Sequence, residues 1–519
     1  MHFILFGSGF QTWEYSPVYA IRSYAYLALH SFPLRIYNIL NVNKIFLFYF
    51  LRCILGIICA LAELYFYKGV CKQFGAKIGQ LMLWLMLFST GMFIACSSFL
   101  PSSFSMYLTM VAMGAWFLNN THIAILAVAA SAIIGWPFSA ALGIPIACDI
   151  LVRQKKTSYF IYWCVIALVL FLVPVVIIDS YYYDKLVIAP LNIIMYNIFT
   201  EHGPNIYGVE PFSFYFLNGF LNFNVAFLFA FLCLPISLLL KVSQKQAQNS
   251  GLSLWLSMSP MFIWIFIFFT RPHKEERFLY PIYPFFALGG AVAVIYIEST
   301  FCTYFSSKKA TCNLSFNCHY RTVTVVFTTV FTLLSLSRIF QLYEGYHAPI
   351  DVYLELNQIA GNPDIHTLSP DKSVNVCVGK EWYRFPNSFF LPDKNWHLRF
   401  LQSEFKGQLP KPYYPGPDST STIPSHMNNM NKEEPTRYFN VSKCHYLIDL
   451  DIPTETELEP RYSEIINEWK ILSSSKFLHS SKSHRIYRAF YIPFISRNHC
   501  TYVNYNLLIS LRNMKTSQN

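Results

Sequence analysis

Charge is scarce in this chain. Asp, Glu, Lys and Arg make up 13% of its 519 residues, against 54% hydrophobic, about half the charged share of an ordinary soluble domain. A single soluble globular fold is therefore excluded. Acidic residues are the scarcer sign, 28 against 39 Lys and Arg, but the surplus forms no clustered basic patch backed by a soluble fold, so nucleic acid is not an expected partner. The 13 cysteines show no metal-ligand spacing; most stand singly in apolar runs, as small apolar fillers. Residues 1 to 10 offer an apolar stretch too short for a secretory segment or a spanning helix. No repeat of 20 to 50 residues is visible.

Long apolar runs and aromatics are abundant. Stretches near or beyond the roughly 20 residues of a spanning helix fall at 45 to 67, 80 to 100, 104 to 148, 159 to 178, 217 to 240, 252 to 270, 278 to 298 and 323 to 343. None recurs after about residue 344. The 35 Tyr, 48 Phe and 10 Trp suit a chain that meets the lipid interface many times, because amphipathic rings are stable at headgroup depth. The expectation is a multi-pass α-helical membrane protein in three parts: 1 to 43, a loop; 44 to 343, the membrane block; and 344 to 519, a small α+β domain. Within the last, SVNVCVGKEWYRFP (373 to 386), CHYLIDLD (444 to 451) and HRIYRAFYIPF (484 to 494) read as strands.

Basic residues between the runs set an orientation. Lys68, Lys72 and Lys77, then Arg153, Lys155 and Lys156, then Lys241 and Lys245, and finally Lys308, Lys309 and Arg321 are expected to face the cytoplasm. Parity puts residues 1 to 43, the loop 179 to 216, the hairpin 270 to 278 and the C-terminal domain on the opposite side. The sequon Asn440-Val441-Ser442 is then a lumenal glycosylation site, and Asn313-Leu314-Ser315 a silent cytoplasmic one. Cys377, Cys444 and Cys500 allow at most one bridge among themselves.

Chemistry is sought on that side. TRPHKEERF (270 to 278) packs six titratable side chains between two apolar runs, a costly arrangement unless they pair or bind something. His273, Lys274 and Arg277, with Glu275 and Glu276 beside them, are candidate ligands of a phosphate head group. A helix starting near Pro272 would add free N–H groups to the site; the bland reading is an interfacial anchor with internal ion pairs. Arg52 lies in the first spanning run and is a further candidate toward the phosphate; Glu63, eleven residues on, reads as an interhelix residue. Gln11, Trp13 and Glu14, and Asp179 and Asp184 in an amphipathic loop that also holds Glu201 and His202, are candidate acceptor or sugar contacts. No metal is expected.

Several stretches resemble a known family: GFQTWEYSPVYAIRSYAYLALH (9 to 30), FLPSSFSMY (99 to 107), GWPFSAALGIPIA (135 to 147), DSYYYDKLVIAPLNIIMYN (179 to 197), HKEERFLYPIYP (273 to 284) and NVCVGKEWYRFPNSFFLPD (375 to 393). They are similar to the dolichyl-phosphate-mannose-dependent α-1,2-mannosyltransferases of asparagine-linked glycan assembly, in glycosyltransferase family 22. The resemblance implies a GT-C membrane fold in the endoplasmic reticulum, active on the lumenal side, with no cofactor beyond dolichyl-phosphate mannose as donor. It implies dolichyl-diphosphate oligosaccharide, at the six- and eight-mannose stages, as acceptor. In that family an acidic motif carrying the general-base Asp precedes the position matching Gly9; MHFILFGS stands there instead, leaving the expected Asp absent and Glu14 as the nearest carboxylate. The alternatives are an N-terminally truncated, catalytically silent scaffold, or a lipid or solute transporter.

Overall fold

The computed structural model describes residues 1–39, 43–200, 203–239, 252–309, 322–369, 371–384 and 387–512. Glu201, His202, Lys241, Lys245, Asn313 and Arg321 lie outside the described residues. The chain forms two compact units, each discontinuous in sequence: one of Ala20–Leu29 and Leu51–Leu336, the other of Met1–Tyr19, His30–Phe50 and Ser337–Asn519.

The first unit is helical. Among the described residues five helices are long and apolar enough to cross a membrane: Lys44–Phe74, Thr157–Tyr183, Phe214–Leu239, Glu276–Phe301 and Thr322–Tyr346. Each coincides with one apolar run of the sequence. The three other runs do not form single helices of spanning length. The run 80 to 100 breaks at Ser89, whose extended backbone ends the helix Ala76–Phe88 and whose hydroxyl caps Thr90–Ala95 by accepting from Met92 N at 3.3 Å. The run 252 to 270 yields Leu254–Phe269, 16 residues or about 24 Å of helix. The longest run, 104 to 148, divides where Asn119 takes a positive φ of 66°, between the helices Pro101–Phe117 and Thr121–Ala130.

Small residues let these helices approach, the device that replaces hydrophobic drive inside a bilayer. A Cβ on Gly69 would stand 2.7 Å from the carbonyl oxygen of Gly114, and one on Gly290 3.1 Å from that of Ala226. The second contact seats Glu276–Phe301, the most buried of the five helices, against Phe214–Leu239. That partner is broken at Asn224, whose φ of 36° and ψ of −122° are not helical. Its amide closes the gap, donating to Phe331 O at 3.1 Å and Ser335 Oγ at 2.9 Å while its oxygen accepts from Val225 N.

Among the described residues the second unit holds seven strands: β1 Phe10–Gln11, β2 Val374–Val378, β3 Trp396–Phe400, β4 Lys411–Pro412, β5 Tyr446–Asp451, β6 Trp469–Leu478 and β7 Tyr502–Ser510. Five form one sheet in the order β3-β2-β5-β7-β6, with β2 parallel to both β3 and β5, and β7 antiparallel to β5 and β6. The helix Ala348–Ala360 supplies Val352, Tyr353 and Leu356 to one face, against Val376, Ile448 and Leu507; the other face buries Leu447, Trp469 and Leu508. On that second face Cys377 and Cys444 form a disulfide, leaving Cys500 free.

Two expectations need correction. Residues 1 to 43 are not all loop: Tyr24–Ile39 is a 16-residue helix, and β1 pairs with β4. The stretch 484 to 494 forms turns, not a strand. Pro493 has no N–H to donate, Phe494 takes a positive φ of 66°, and Ile486, Ile492 and Phe494 are all exposed, so no alternation buries one side.

Candidate active site

The charged hairpin joins the helices Leu254–Phe269 and Glu276–Phe301. Its floor is aromatic: Trp264 donates to Phe278 O at 2.8 Å, and the Trp136 ring lies 5.1 Å from Phe278 and 5.2 Å from Phe268. Its outer edge is tied to the segment Gly208–Glu210. Glu210 N donates to Pro272 O at 3.0 Å; Lys274 Nζ donates to Glu210 O at 2.8 Å and to Arg271 O; His273 Nδ1 meets Gly208 O at 2.8 Å. Gly208 sits at a φ of 111°, a region open to glycine.

The hairpin divides its charges. Glu275 receives both neighbours, His273 Nε2 at 3.2 Å and Arg277 at 2.6 Å from Nε and 2.7 Å from Nη2. Burial pushes the Glu275 carboxyl up, but His273 and Arg277 outweigh it and hold the group down at about 2. The same hydrogen bond raises His273, and burial lowers Lys274. Lys274 is buried, spending two of its three N–H groups on carbonyls. Glu276 turns elsewhere: it accepts from Asn222 Nδ2 at 2.9 Å, and the same amide lies 2.9 Å from Tyr283 OH.

The helix begins at Glu276, with Glu275 as its extended N-cap, rather than near Pro272. Its first turn therefore carries its own carboxylate, which suits the positive end of the helix dipole. Chemically, the hairpin is a set of cations already paired with a carboxylate and backbone oxygens. An incoming phosphate can take the place of Glu275 on Arg277 and His273, exchanging one anion for another.

Asp179 is not on a loop. It lies in the last turns of Thr157–Tyr183 and is fully buried, with Oδ1 accepting from Ala25 N at 2.9 Å and Ser23 Oγ at 3.0 Å, so that it caps the helix Tyr24–Ile39. Tyr183 OH donates to Arg22 O at 2.8 Å and Asn192 Nδ2 to Ala20 O at 3.0 Å. Three side chains of one segment thus fix Ala20–Ala25, where Ala20 adopts a φ of 44°. Asp184, five residues on, is exposed. The local spacing could not separate these two aspartates; burial does.

The other candidates are dispersed. Arg52 is half-buried on Lys44–Phe74, and Glu63 on the same helix accepts from Cys59 Sγ at 3.4 Å. Gln11, Trp13 and Glu14 belong to the second unit. There Gln11 is buried, its amide donating to Tyr15 O at 2.9 Å, and Trp13 packs edge-on to Tyr19. Asn440 is exposed, with Oδ1 accepting from Ser442 N and Oγ. Sequence reasoning missed Asn222, Asn224 and Tyr283. Three asparagines, Asn218, Asn222 and Asn224, within a 26-residue apolar helix were the available signal, since polar groups at membrane depth need partners.

The stretches that carry the resemblance, from the opening residues through the hairpin to the first strand of the five-stranded sheet, fall, all but Asp393, within one family match: the "Alg9-like mannosyltransferase family" covers residues 1–392. The chain belongs to this family. As a mannosyltransferase it is a glycosyltransferase, and its multi-pass helical block with a sheet domain toward the C-terminus is the architecture expected from the sequence. It is 54% identical over 515 residues to the α-1,2-mannosyltransferase ALG9 of Mus musculus, covering 98% of this chain and 83% of that one. It is 44% identical over 516 residues to Alg9 of Drosophila melanogaster, covering 98% and 82%. Among solved structures, ArnT from Cupriavidus metallidurans bound to undecaprenyl phosphate aligns at a TM-score of 0.43 and 12% identity, covering 67% of this chain and 71% of that one. Nothing in these findings favours the scaffold or transporter readings of this mannosyltransferase.

Proposed function

We propose that this mannosyltransferase takes mannose from dolichyl-phosphate mannose and adds it in α-1,2 linkage to a dolichyl-diphosphate oligosaccharide, at its six- and eight-mannose stages, on the lumenal side of the endoplasmic-reticulum membrane. The observation that carries the reading is the hairpin: His273, Lys274 and Arg277 gathered between two apolar helices, with Arg277 and His273 sharing one exchangeable carboxylate. The donor's leaving group is a phosphate. Cations fixed near it lower the barrier by stabilising the charge that develops as the anomeric bond breaks. Transfer from a β-linked donor to an α product inverts the anomeric carbon, so one base accepts the proton of the attacking hydroxyl. Lys274 keeps the hairpin on Gly208–Glu210 while Arg277 and His273 change partners.

The lumenal placement is supported by the Cys377–Cys444 disulfide, since such bonds persist in oxidising compartments, and by the exposed sequon at Asn440. The test uses membranes carrying the full chain, dolichyl-phosphate mannose and a six-mannose lipid-linked acceptor. A product that α-1,2-mannosidase returns to the starting size is expected. Arg277→Ala should lower turnover while the protein stays expressed and inserted. No transfer by the unaltered chain would sink the substrate assignment, and unchanged turnover in Arg277→Ala would return the hairpin to an anchor.

A further inference from the structure

One surface of the second unit has no place in mannosyl transfer. Between β6 and β7 the chain runs through KSHRIYRAFYIPFISRNH (482 to 499). Its apolar side chains point outward: Phe494 is 91% exposed, Ile486 59%, Ile495 43% and Ile492 38%. The tip is held in that shape. Ser496, fully buried, receives Ile492 N at 2.7 Å and donates to Phe490 O at 3.2 Å, closing a turn around Phe494 at its positive φ. A left-handed phenylalanine is an outlier that L residues avoid, and here it keeps an aromatic ring out of the core.

The turn is also fixed to a particular helix. Tyr491 N donates to Ser337 O at 3.0 Å, Ser337 Oγ to Tyr491 O at 2.9 Å, and Arg338 Nη1 to Ala489 O at 3.0 Å; Arg497 pairs with Glu344 at 3.0 Å. All three anchors belong to Thr322–Tyr346, a helix long and apolar enough to span a membrane. Ser337 stands nine residues before Tyr346, about 13 Å from the helix end, in a helix about 7 Å longer than a hydrocarbon core of about 30 Å. Phe340 and Tyr343, between the anchors, are 58% and 67% exposed. The turn therefore hangs beside the level at which this helix leaves the hydrocarbon.

Charge selects the occupant. Residues 469 to 512 contain no Asp or Glu, whereas Lys482, Arg485, Arg488 and Arg497 flank the apolar tip in the chain; Lys482 and Arg485 are exposed. Exposed apolar side chains flanked by cations suit the boundary between acyl chains and phosphate head groups. The geometry points to residues 485 to 497 as a lipid-docking wedge. Phe494, Ile492 and Ile495 enter the interface of the membrane that Thr322–Tyr346 crosses, with Lys482 and Arg485 on its phosphates. The inference needs only that this helix spans; it is independent of the donor and acceptor proposed above.

The full chain carrying the photocrosslinker p-benzoylphenylalanine in place of Phe494 is reconstituted into phosphatidylcholine vesicles, with and without phosphatidylserine, and lipid adducts are read by mass spectrometry. The same crosslinker at Leu333, exposed on the spanning helix, gives the in-membrane benchmark, and at Ser474, exposed on β6, the aqueous one. Position 494 is expected to give lipid adducts close to the Leu333 yield and several-fold above Ser474. Phosphatidylserine should raise the yield, and Lys482→Glu with Arg485→Glu should remove that rise. A yield at 494 no greater than at Ser474, or adducts to protein instead of lipid, overturns the wedge. Phe494 makes so little contact with the fold that its replacement leaves folding intact, and the Leu333 signal confirms insertion in every sample.

Discussion

Replacing Cys377 and Cys444 together by alanine removes a cross-link whose ends are 67 residues apart. Both side chains are fully buried among Leu401, Leu447, Trp469 and Leu508, so alanine keeps the site apolar and the main loss is the constraint on the unfolded chain. A closed loop of this length contributes about 4 kcal/mol on the chain-entropy account. For a unit of this size, each kcal/mol moves the midpoint by about 2–4 °C, so the sheet unit should melt about 10 °C lower. The assay is limited proteolysis of the full chain in membranes across a temperature series, following cleavage between 373 and 444 in the double variant and the unaltered protein. Non-reducing peptide mapping of the unaltered protein should recover Cys377 linked to Cys444, with Cys500 free to alkylate. A midpoint shift below about 3 °C, or a map that joins Cys500 to either partner, refutes the reasoning.

The hairpin should respond to pH with a defined sign. His273 is raised by Glu275, so its share of the tether is complete below the unfolded value of 6.5 and fades as pH rises through the folded value. Glu275 is depressed, so its share is present above 4.5 and is lost only as pH falls toward about 2. Deuterium exchange at 208 to 210 and 271 to 278, corrected for intrinsic rates, should therefore increase above pH 6.5, and His273→Gln should flatten that rise. Asp179→Ala strands the Ala25 N–H and the Ser23 hydroxyl; at about 1.5–3 kcal/mol for a hydrogen bond to a charged group, the detergent-extracted protein should denature at lower temperature. Asp179→Asn, which keeps an acceptor oxygen, should lie between Ala and the unaltered chain. Endoglycosidase should sharpen and speed the gel band of the protein made in animal cells, and Asn440→Gln should abolish the effect; an unchanged band before and after digestion would contradict a lumenal sheet unit.

Legibility differed by element, for physical reasons. The five long helices were readable because apolar content over about 20 residues is a local property that any spanning segment must satisfy. The breaks at Ser89 and Asn119 were not, since hydropathy is blind to a capping hydroxyl or a positive φ inside an apolar run. The strands β2 and β5 could be read from their alternating and β-branched residues, whereas 484 to 494 shares that composition but faces outward. Of the candidate site, HKEERF stood out because so many charges rarely crowd between apolar runs. Its internal division did not: the reading treated Glu275 and Glu276 alike, but one neutralises Arg277 and His273 and the other hydrogen-bonds to a broken helix 54 residues earlier in the chain.

The sequence by itself determined that this protein is a multi-pass membrane enzyme, where its five span-length helices fall, which hairpin concentrates its charge and which mannosyltransferase family it joins, because hydropathy, charge density and motif residues are properties of neighbouring positions. Only the tertiary structure decided which partners those residues have. Asp179 became a helix cap because Ser23 and Ala25, 156 and 154 residues away, are packed against it. Cys377 chose Cys444 because parallel pairing of β2 and β5 brings them together, and Phe494 stayed outside because Ser496 and the spanning helix hold its turn away from the core. Such pairings depend on burial and distance between remote segments, which no window of sequence contains.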